Sequence, residues 1–540
     1  MSNLMTPEQS AVVRCNAPVI VVSAFAGTGK TSTLVEYAKA RPNEQFLYLA
    51  YNRALREEAQ DKFPANVKCQ TAHGMAWSVM ARIYQRKTID NLKPPTVSER
   101  TGWPMRTSWL ALEALKRFMY SADMEIGDQH LTPGQADTRN VVEASRQLWA
   151  RVRDPNDLDM PIPHDGYLKA FHLEHGQAQI RRRILFDEAQ DANAVIAAIV
   201  QAQQANKLVV GDEYQAIYAW RGAINAMRMF RADAALSLTQ SFRYGDDVAR
   251  LATKLLSDWR GCDHRIRGTT SQTAFVVNRN APHAVLFRTN AGMIGHGLSI
   301  MLQGVPYGFA GGVDMQRIEY VRDIWRLSIN RPDLVKNETL RGFGGYSVFS
   351  AYAKEMGDGE DLLGIKLVDE YGGSLSSLID RLLHQACNLA EVDSDSVVSL
   401  STAHKAKGLE FDHVVLHDDF DDLVVRTNPQ TGALEGPDPQ SIHLHYVAMT
   451  RAKKSLQLSS QLSTGLNHSP PEDHISAVRR ANIFQAPAHK TVRAQACAAP
   501  HPPAVLDEQK AARPVKKKPG PEDQMSLFDS MPAPSMRRVA

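Results

Sequence analysis

Residues 18–31 read PVIVVSAFAGTGKT, and no other stretch limits the fold as strongly. PVIVVS is an apolar run rich in β-branched residues, which makes it a buried strand. The Gly- and Lys-bearing residues after it form a loop whose successive backbone N–H groups curl round phosphate, and STLVEYAKA continues as a helix. A strand, a phosphate loop and a helix in that order call for a sheet covered by helices. Gly27 and Gly29 let the backbone approach the phosphates, and Ala26, Thr28 and Ser32 complete the loop. Lys30 is expected to place its ammonium on the β/γ-phosphates and Thr31 its hydroxyl on Mg²⁺. Ala24 stands where the usual pattern has its first glycine; a β-carbon is tolerated there as long as φ is negative.

FLYLA (46–50), VKCQ (67–70), RILF (183–186) and KLVVG (207–211) read as further buried strands among helical patterns, so the sheet is expected to be parallel. AVLFR (284–288), VVSLS (397–401), HVVLH (413–417) and SLQLS (455–459) read as a second α/β domain. The stretches 85–176 and 311–391 are mainly helical in pattern and read as insertions. A length of 540 residues accommodates three or four compact units. No apolar run approaches the roughly 20 residues needed to span a bilayer. MSNLMTPEQS lacks a basic start and an apolar core, so no export signal is expected. The five cysteines are scattered with no CxxC pair, which disfavours a zinc site and points to a reduced, cytoplasmic setting.

The metal-side partner of the loop is ILFDEAQD (184–191), where an apolar strand ends in adjacent carboxylates. Asp187 is expected to hold Mg²⁺ through water, and Glu188 to orient and deprotonate the attacking water. VVGDEYQAIYAWRGA (209–223) sets Asp212 and Gln215 a few residues before Tyr218 and Trp220. Aromatic faces stack on bases without regard to sequence, at roughly 1–3 kcal/mol per base. The alternative is that both aromatics belong to the core, against which the polar flanks Gln215 and Arg221 argue.

These motifs in series resemble the superfamily 1 DNA helicases of the UvrD/Rep type, and among those the F-box DNA helicases without their F-box. The resemblance covers roughly residues 4–80, 180–310 and 395–460, and the Ala24 loop is normal for that group. It implies two RecA-like parallel-sheet domains, 1–84 with 177–240 and 241–310 with 392–484, each with a mainly helical insertion (85–176 and 311–391), and ATP and Mg²⁺ as cofactors. It implies that Gln9 reads the adenine edge, that Gln215 senses the γ-phosphate, and that Tyr51, Asn52, Thr71 and His73 touch single-stranded DNA with Tyr218 and Trp220. Without the resemblance, Tyr51 and His73 read as core or surface residues. In SFRYGDDV (241–248) and HYVAMTRAKK (445–454), it implies that Arg243 reaches the γ-phosphate and Arg451 is an arginine finger. Arg288 and Asn290 of LFRTNAG would lie near the interdomain cleft or DNA; in motif V, Thr402 and His404 would meet DNA backbone and Glu410 the ribose hydroxyl. Movement in the 3′→5′ direction is implied by the family alone. The acidic run HDDFDDL (417–423) reads as a solvated loop.

From residue 485 the composition changes: the last 56 residues hold nine of the 28 prolines and a net charge of +4, leaving the body at −1. Such a tail buries too little apolar surface to offset its ordering entropy, so disorder is expected. Within it, QMSLF (524–528) resembles the bacterial sliding-clamp-binding pentapeptide, with Leu527 and Phe528 as apolar anchors and Gln524 at the rim. The expectation is an ATP-dependent single-stranded-DNA translocase and helicase, bacterial or phage, acting in repair, recombination or fork maintenance. A translocase that strips proteins from DNA while unwinding little, and a clamp-tethered accessory ATPase switch, are the alternatives.

Overall fold

The computed structural model describes residues 5–132, 138–219, 222–356, 359–389, 397–427 and 434–468, and the single residues 470 and 475. Trp220, Arg221 and the tail with Gln524, Leu527 and Phe528 lie outside the described residues. The chain divides into two compact units, one made of residues up to Ala24 and Lys30–Leu238, the other of Phe25–Gly29 and the described residues from Thr239 on.

In the first unit, β1 (Val19–Ala24), β2 (Phe46–Ala50), β3 (Val67–Thr71), β4 (Arg183–Phe186), β5 (Lys207–Gly211) and β6 (Ala234–Leu238) form one sheet. Its order is β3-β2-β4-β5-β1-β6, and every neighbouring pair is parallel. A parallel sheet is buried on both faces, which is why its strands read as continuous apolar runs. Ile20, Val22, Leu185, Leu208 and Val210 pack on one face with Leu34 and Tyr37 of the helix Lys30–Lys39. Val21, Leu47, Ile184, Phe186 and Val209 pack on the other. That second face shares its core with the helices Pro94–Thr101, Met105–Tyr120, Thr138–Arg153 and His164–His175, in the stretch expected to be an insertion.

Two buried lysines tie the insertion's loops together. Lys169 Nζ donates to the carbonyls of Ser121 at 2.7 Å and Asp123 at 2.5 Å, and lies 4.1 Å from the centre of the Phe118 ring. Burial pulls its pKa down to about 8. Lys87 Nζ donates to three carbonyls, Arg151 at 3.1 Å, Asp154 at 2.6 Å and Asp157 at 2.7 Å.

The second unit opens with the parallel pair β7 (Gln240–Gly245) and β8 (Arg267–Thr269). Then β9 (His283–Phe287), β10 (Tyr307–Phe309), β11 (Val398–Thr402), β12 (Phe411–Leu416) and β15 (Ala452–Gln457) form a parallel sheet in the order β10-β11-β9-β12-β15. A short antiparallel pair, β13 (Arg426–Thr427) and β14 (Leu434–Glu435), stands apart from it. The helices Met315–Ser328, Tyr346–Met356, Gly359–Tyr371 and Leu375–Gln385 share a core with this sheet.

The α/β class with two parallel sheets follows the expectation. The acidic run does not behave as a solvated loop throughout. The Asp419 side chain is 1% exposed. It accepts from the N–H groups of Arg288 and Thr289 at 3.0 Å each and from Thr289 Oγ1 at 2.8 Å. It therefore braces the start of the helix Asn290–Leu302, where unpaired N–H groups attract a carboxylate.

Lys87→Met fills the same space and leaves three carbonyls without their donor. A loss of about 1–3 kcal/mol is expected, read as a lower midpoint in chemical denaturation. An unchanged midpoint would show that water takes over the carbonyls.

Candidate functional site

The phosphate loop follows β1, of which Ala24 is the last residue; Ala24 is absent from the positive-φ positions, so the missing first glycine costs nothing. Gly27 and Gly29 have φ of 74° and 75°, a region that disfavours any β-carbon. Gly27 is also hemmed in, because a β-carbon there would meet Ser241 Oγ at 2.5 Å and Arg243 Cβ at 2.7 Å. Within this second unit the Gly27 carbonyl accepts from the Phe242 N–H at 2.8 Å, and the Ala26 N–H donates to Tyr446 Oη at 3.0 Å. Phe242, passed over in the sequence, is 48% exposed beside the loop. An exposed ring at that position offers a face for a nucleobase. Its signal in the sequence was an aromatic directly before Arg243.

In the first unit, the helix Lys30–Lys39 begins with the two residues expected to serve a triphosphate. Lys30 Nζ lies 3.8 Å from Glu188 Oε1, and Thr31 Oγ1 donates to Asp187 Oδ2 at 3.2 Å. Asp187, at the end of β4, also accepts from Tyr48 Oη at 2.9 Å and from the Glu188 N–H at 2.9 Å. Burial raises the Asp187 pKa, the Glu188 charge adds to this, and Lys30 and Tyr48 oppose it. Burial likewise pushes the Tyr48 phenol up, which keeps it a donor. A hydroxyl and a carboxylate within hydrogen-bond distance are hard oxygen ligands, the set with which Mg²⁺ is held beside substrate phosphates. The residues thus fit Mg²⁺.

Glu188 has φ 49° and ψ 42°, a left-handed conformation that a non-glycine residue adopts only under constraint. Its carboxylate accepts from Gln190 Nε2. Asp212 follows β5 and accepts from Gln215 Nε2 at 2.7 Å and from the Tyr214 N–H at 3.1 Å. Three residues beyond Gln215, the Tyr218 ring lies parallel to Tyr51, with centroids 6.1 Å apart and planes 6° apart. Both rings are half-buried. The structure thus brings Tyr51 and Tyr218 together; Trp220 lies outside the described residues.

Several expected nucleic-acid contacts also act on their own helices. Asn52 Oδ1 accepts from the Leu55 N–H at 2.9 Å, capping Arg53–Lys62, and Thr71 Oγ1 accepts from the Gly74 N–H at 3.0 Å, capping Ala72–Tyr84. Thr402 caps Ala403–Ala406, which carries His404. His73 Nε2 lies 3.1 Å from Asp165 Oδ1. Gln9 closes a capping box with Thr6: its Oε1 accepts from the Thr6 N–H at 3.0 Å, and its own N–H donates to Thr6 Oγ1 at 3.1 Å.

In the second unit Arg243 Nε donates to Glu410 at 2.7 Å, so the residue expected to receive a ribose hydroxyl is held by an arginine. Arg451 is 1% exposed. It donates to the Val447 carbonyl at 2.9 Å and to Thr450 Oγ1 at 3.2 Å. Burial, and then the Arg243 charge, lower its pKa to about 9. Arg288 Nε is bound to Asp421 at 2.8 Å, and the Asn290 N–H donates to Glu360 at 3.1 Å.

Residues 167–234 match the family model of the UvrD/REP helicase N-terminal domain, and residues 354–463 that of the UvrD-like helicase C-terminal domain. The F-box DNA helicase protein 1 of Schizosaccharomyces pombe is 31% identical over 516 residues, covering 85% of this chain and 58% of that protein. The F-box DNA helicase 1 of Gallus gallus is 30% identical over 493 residues, covering 82% of this chain and 47% of that protein. DNA helicase II of Escherichia coli is 27% identical over 225 residues, 34% of this chain and 31% of that protein. The chain spans about half the length of these two F-box relatives. Those two are eukaryotic proteins, which lends no support to a bacterial or phage source. Among the described residues no helix is long and apolar enough to cross a membrane.

Gly27→Ala combines a strained φ with a blocked β-carbon; Gly102→Ala, at φ 73° with nothing within 4 Å, supplies the strain alone. Each is expected to cost about 1–2 kcal/mol of backbone strain. Only Gly27→Ala should also weaken a fluorescent ATP analogue in titration, by about tenfold or more. Equal nucleotide affinity in both variants would remove the loop from the site.

Proposed function

We propose that this chain, which belongs to the UvrD/Rep-type helicase family, is an ATP-driven motor that translocates along single-stranded DNA and unwinds DNA duplexes. One observation carries the reading. The segment Asp212–Tyr218 has at one end a hydrogen-bonded carboxylate and amide near the loop that bears Glu188, and at the other a ring parallel to Tyr51. A triphosphate and a nucleobase then press on the same seven residues, so a change at one is felt at the other.

In this reading Lys30 binds the β/γ-phosphates, Thr31 and Asp187 hold Mg²⁺, and Glu188 aligns the attacking water and takes its proton. Held by Thr31 and Asp187, Mg²⁺ would supply positive charge against the phosphates. Tyr48 keeps Asp187 oriented through its 2.9 Å hydrogen bond. On the second unit, Arg243 and Ser241 lie against Gly27, which supports a phosphate-side role for Arg243. The relatives' names speak of DNA helicases, in keeping with DNA as the track. A 3′→5′ polarity, a role in repair, recombination or fork maintenance, and a cytoplasmic setting belong to the same proposal. Unwinding of 3′-tailed but not 5′-tailed duplexes is the polarity it requires.

Gln524, Leu527 and Phe528 are proposed to dock on a sliding clamp. Replacing Leu527 and Phe528 with Ala should abolish capture by an immobilised bacterial clamp and leave ATPase intact; unchanged capture discards the dock.

Tyr218→Ala should weaken binding to an oligo-dT strand by roughly 1–3 kcal/mol and lower DNA-stimulated turnover more than basal turnover. Lys30→Ala is the variant without turnover. Equal loss of basal and stimulated rates in Tyr218→Ala would make that ring a packing residue.

A further inference from the structure

We infer that Gln190 is a positioning residue for hydrolysis, joining Glu188 to the segment that ends in Tyr218; the inference rests on the reading of the site proposed above. Gln190 is fully buried, and both ends of its amide are used. Its Nε2 donates to Glu188 Oε2, and its Oε1 accepts from the Asp212 N–H at 3.0 Å. Asp212 in turn accepts from Gln215 Nε2 at 2.7 Å, and the Gln215 N–H donates to the Asp212 carbonyl at 2.9 Å. A run of hydrogen bonds therefore leads from the Glu188 carboxylate to Gln215, three residues before Tyr218.

Two features show that the amide is accommodated deliberately. Gly211, the residue before Asp212, has no side chain where one would collide: a β-carbon there would stand 2.5 Å from Gln190 Oε1. Glu188 is held in left-handed backbone, which local preference does not supply, and its carboxylate is reached by Gln190 Nε2. Only a neutral side chain with a donor and an acceptor can serve both partners. A carboxylate would still accept from Asp212 but would repel Glu188, and an apolar chain of equal size would serve neither.

The experiment uses the full chain and the variants Gln190→Met and Gln190→Glu, with thermal melting to establish that each is folded. ATP turnover is measured without DNA and with saturating oligo-dT, alongside the KM for ATP and the affinity for the same strand without nucleotide. Both variants should keep KM and strand affinity within about threefold of wild type. Their kcat with DNA should fall about tenfold or more, less than the roughly 10²–10⁴-fold of losing a general base outright. The ratio of stimulated to basal turnover should fall as well. A Gln190→Met protein with the wild-type ratio would show that the side chain only fills space and would overturn the inference. So would equal losses with and without DNA, or a rise in KM that accounts for the loss. A wild-type chain without DNA-stimulated turnover overturns the parent reading, and this inference with it; a stimulated wild type with unaffected variants overturns this inference alone.

Discussion

The in-register parallel pairing of β4, β5 and β1 governs the first unit. Lys207 of β5 stands level with Ile184 on one side and Val19 on the other, and Ser23 stands level with Gly211. The three strands therefore finish at one edge, and the residues that leave them are the phosphate loop, Asp187 and Asp212. Carboxyl ends of parallel strands are where open α/β sheets bind ligands. A slip of one residue in any of the three would turn its core side chains to the opposite face and carry its polar terminus out of line. Apolar packing on both faces fixes that register, so core and chemistry are specified together.

What stands at that edge is electrostatically demanding. Asp187 and Glu188 put adjacent carboxylates beside Lys30 and Thr31, and burial raises the Asp187 pKa. The groups facing them offset part of this: Tyr48 and Thr31 donate hydroxyls, the Glu188 N–H donates to its neighbour, and Lys30 lies 3.8 Å from Glu188. Lys30 brings one positive charge to this edge, and the oxygen donors of Thr31 and Asp187 fit Mg²⁺ better than a softer metal.

The strand–loop–helix and the DEAQD turn were legible because their chemistry is local: apolar runs mark the strands, and the glycines and charges follow at once. Gln190 was within a quoted motif and still escaped notice, because its partners are Glu188 and the main chain of Asp212, and the second contact exists only after β4 and β5 pair. β6 and β10 were missed for another reason: AALSL is a weak pattern and YGF is three residues with a central glycine, so their strand character comes from their neighbours in the sheet. Asp419 reads as one charge in an acidic run; its burial depends on Thr289 and Arg288, about 130 positions away.

The same topology bears on the loops expected to meet nucleic acid. β2 and β3 are adjacent, so the helices Arg53–Lys62 and Ala72–Tyr84 that follow them start at the same edge of the sheet. Helix starts present N–H groups and a partial positive charge, which favours phosphate. Asn52 and Thr71 cap these starts, and Tyr51 precedes the first. A cap is worth roughly 1 kcal/mol when replaced by alanine, so weaker DNA binding in Thr71→Ala would by itself mix a lost contact with a frayed helix. Tyr51 and Tyr218 lie half-buried with their rings parallel, so truncating either removes ring packing along with any face it offers to a base.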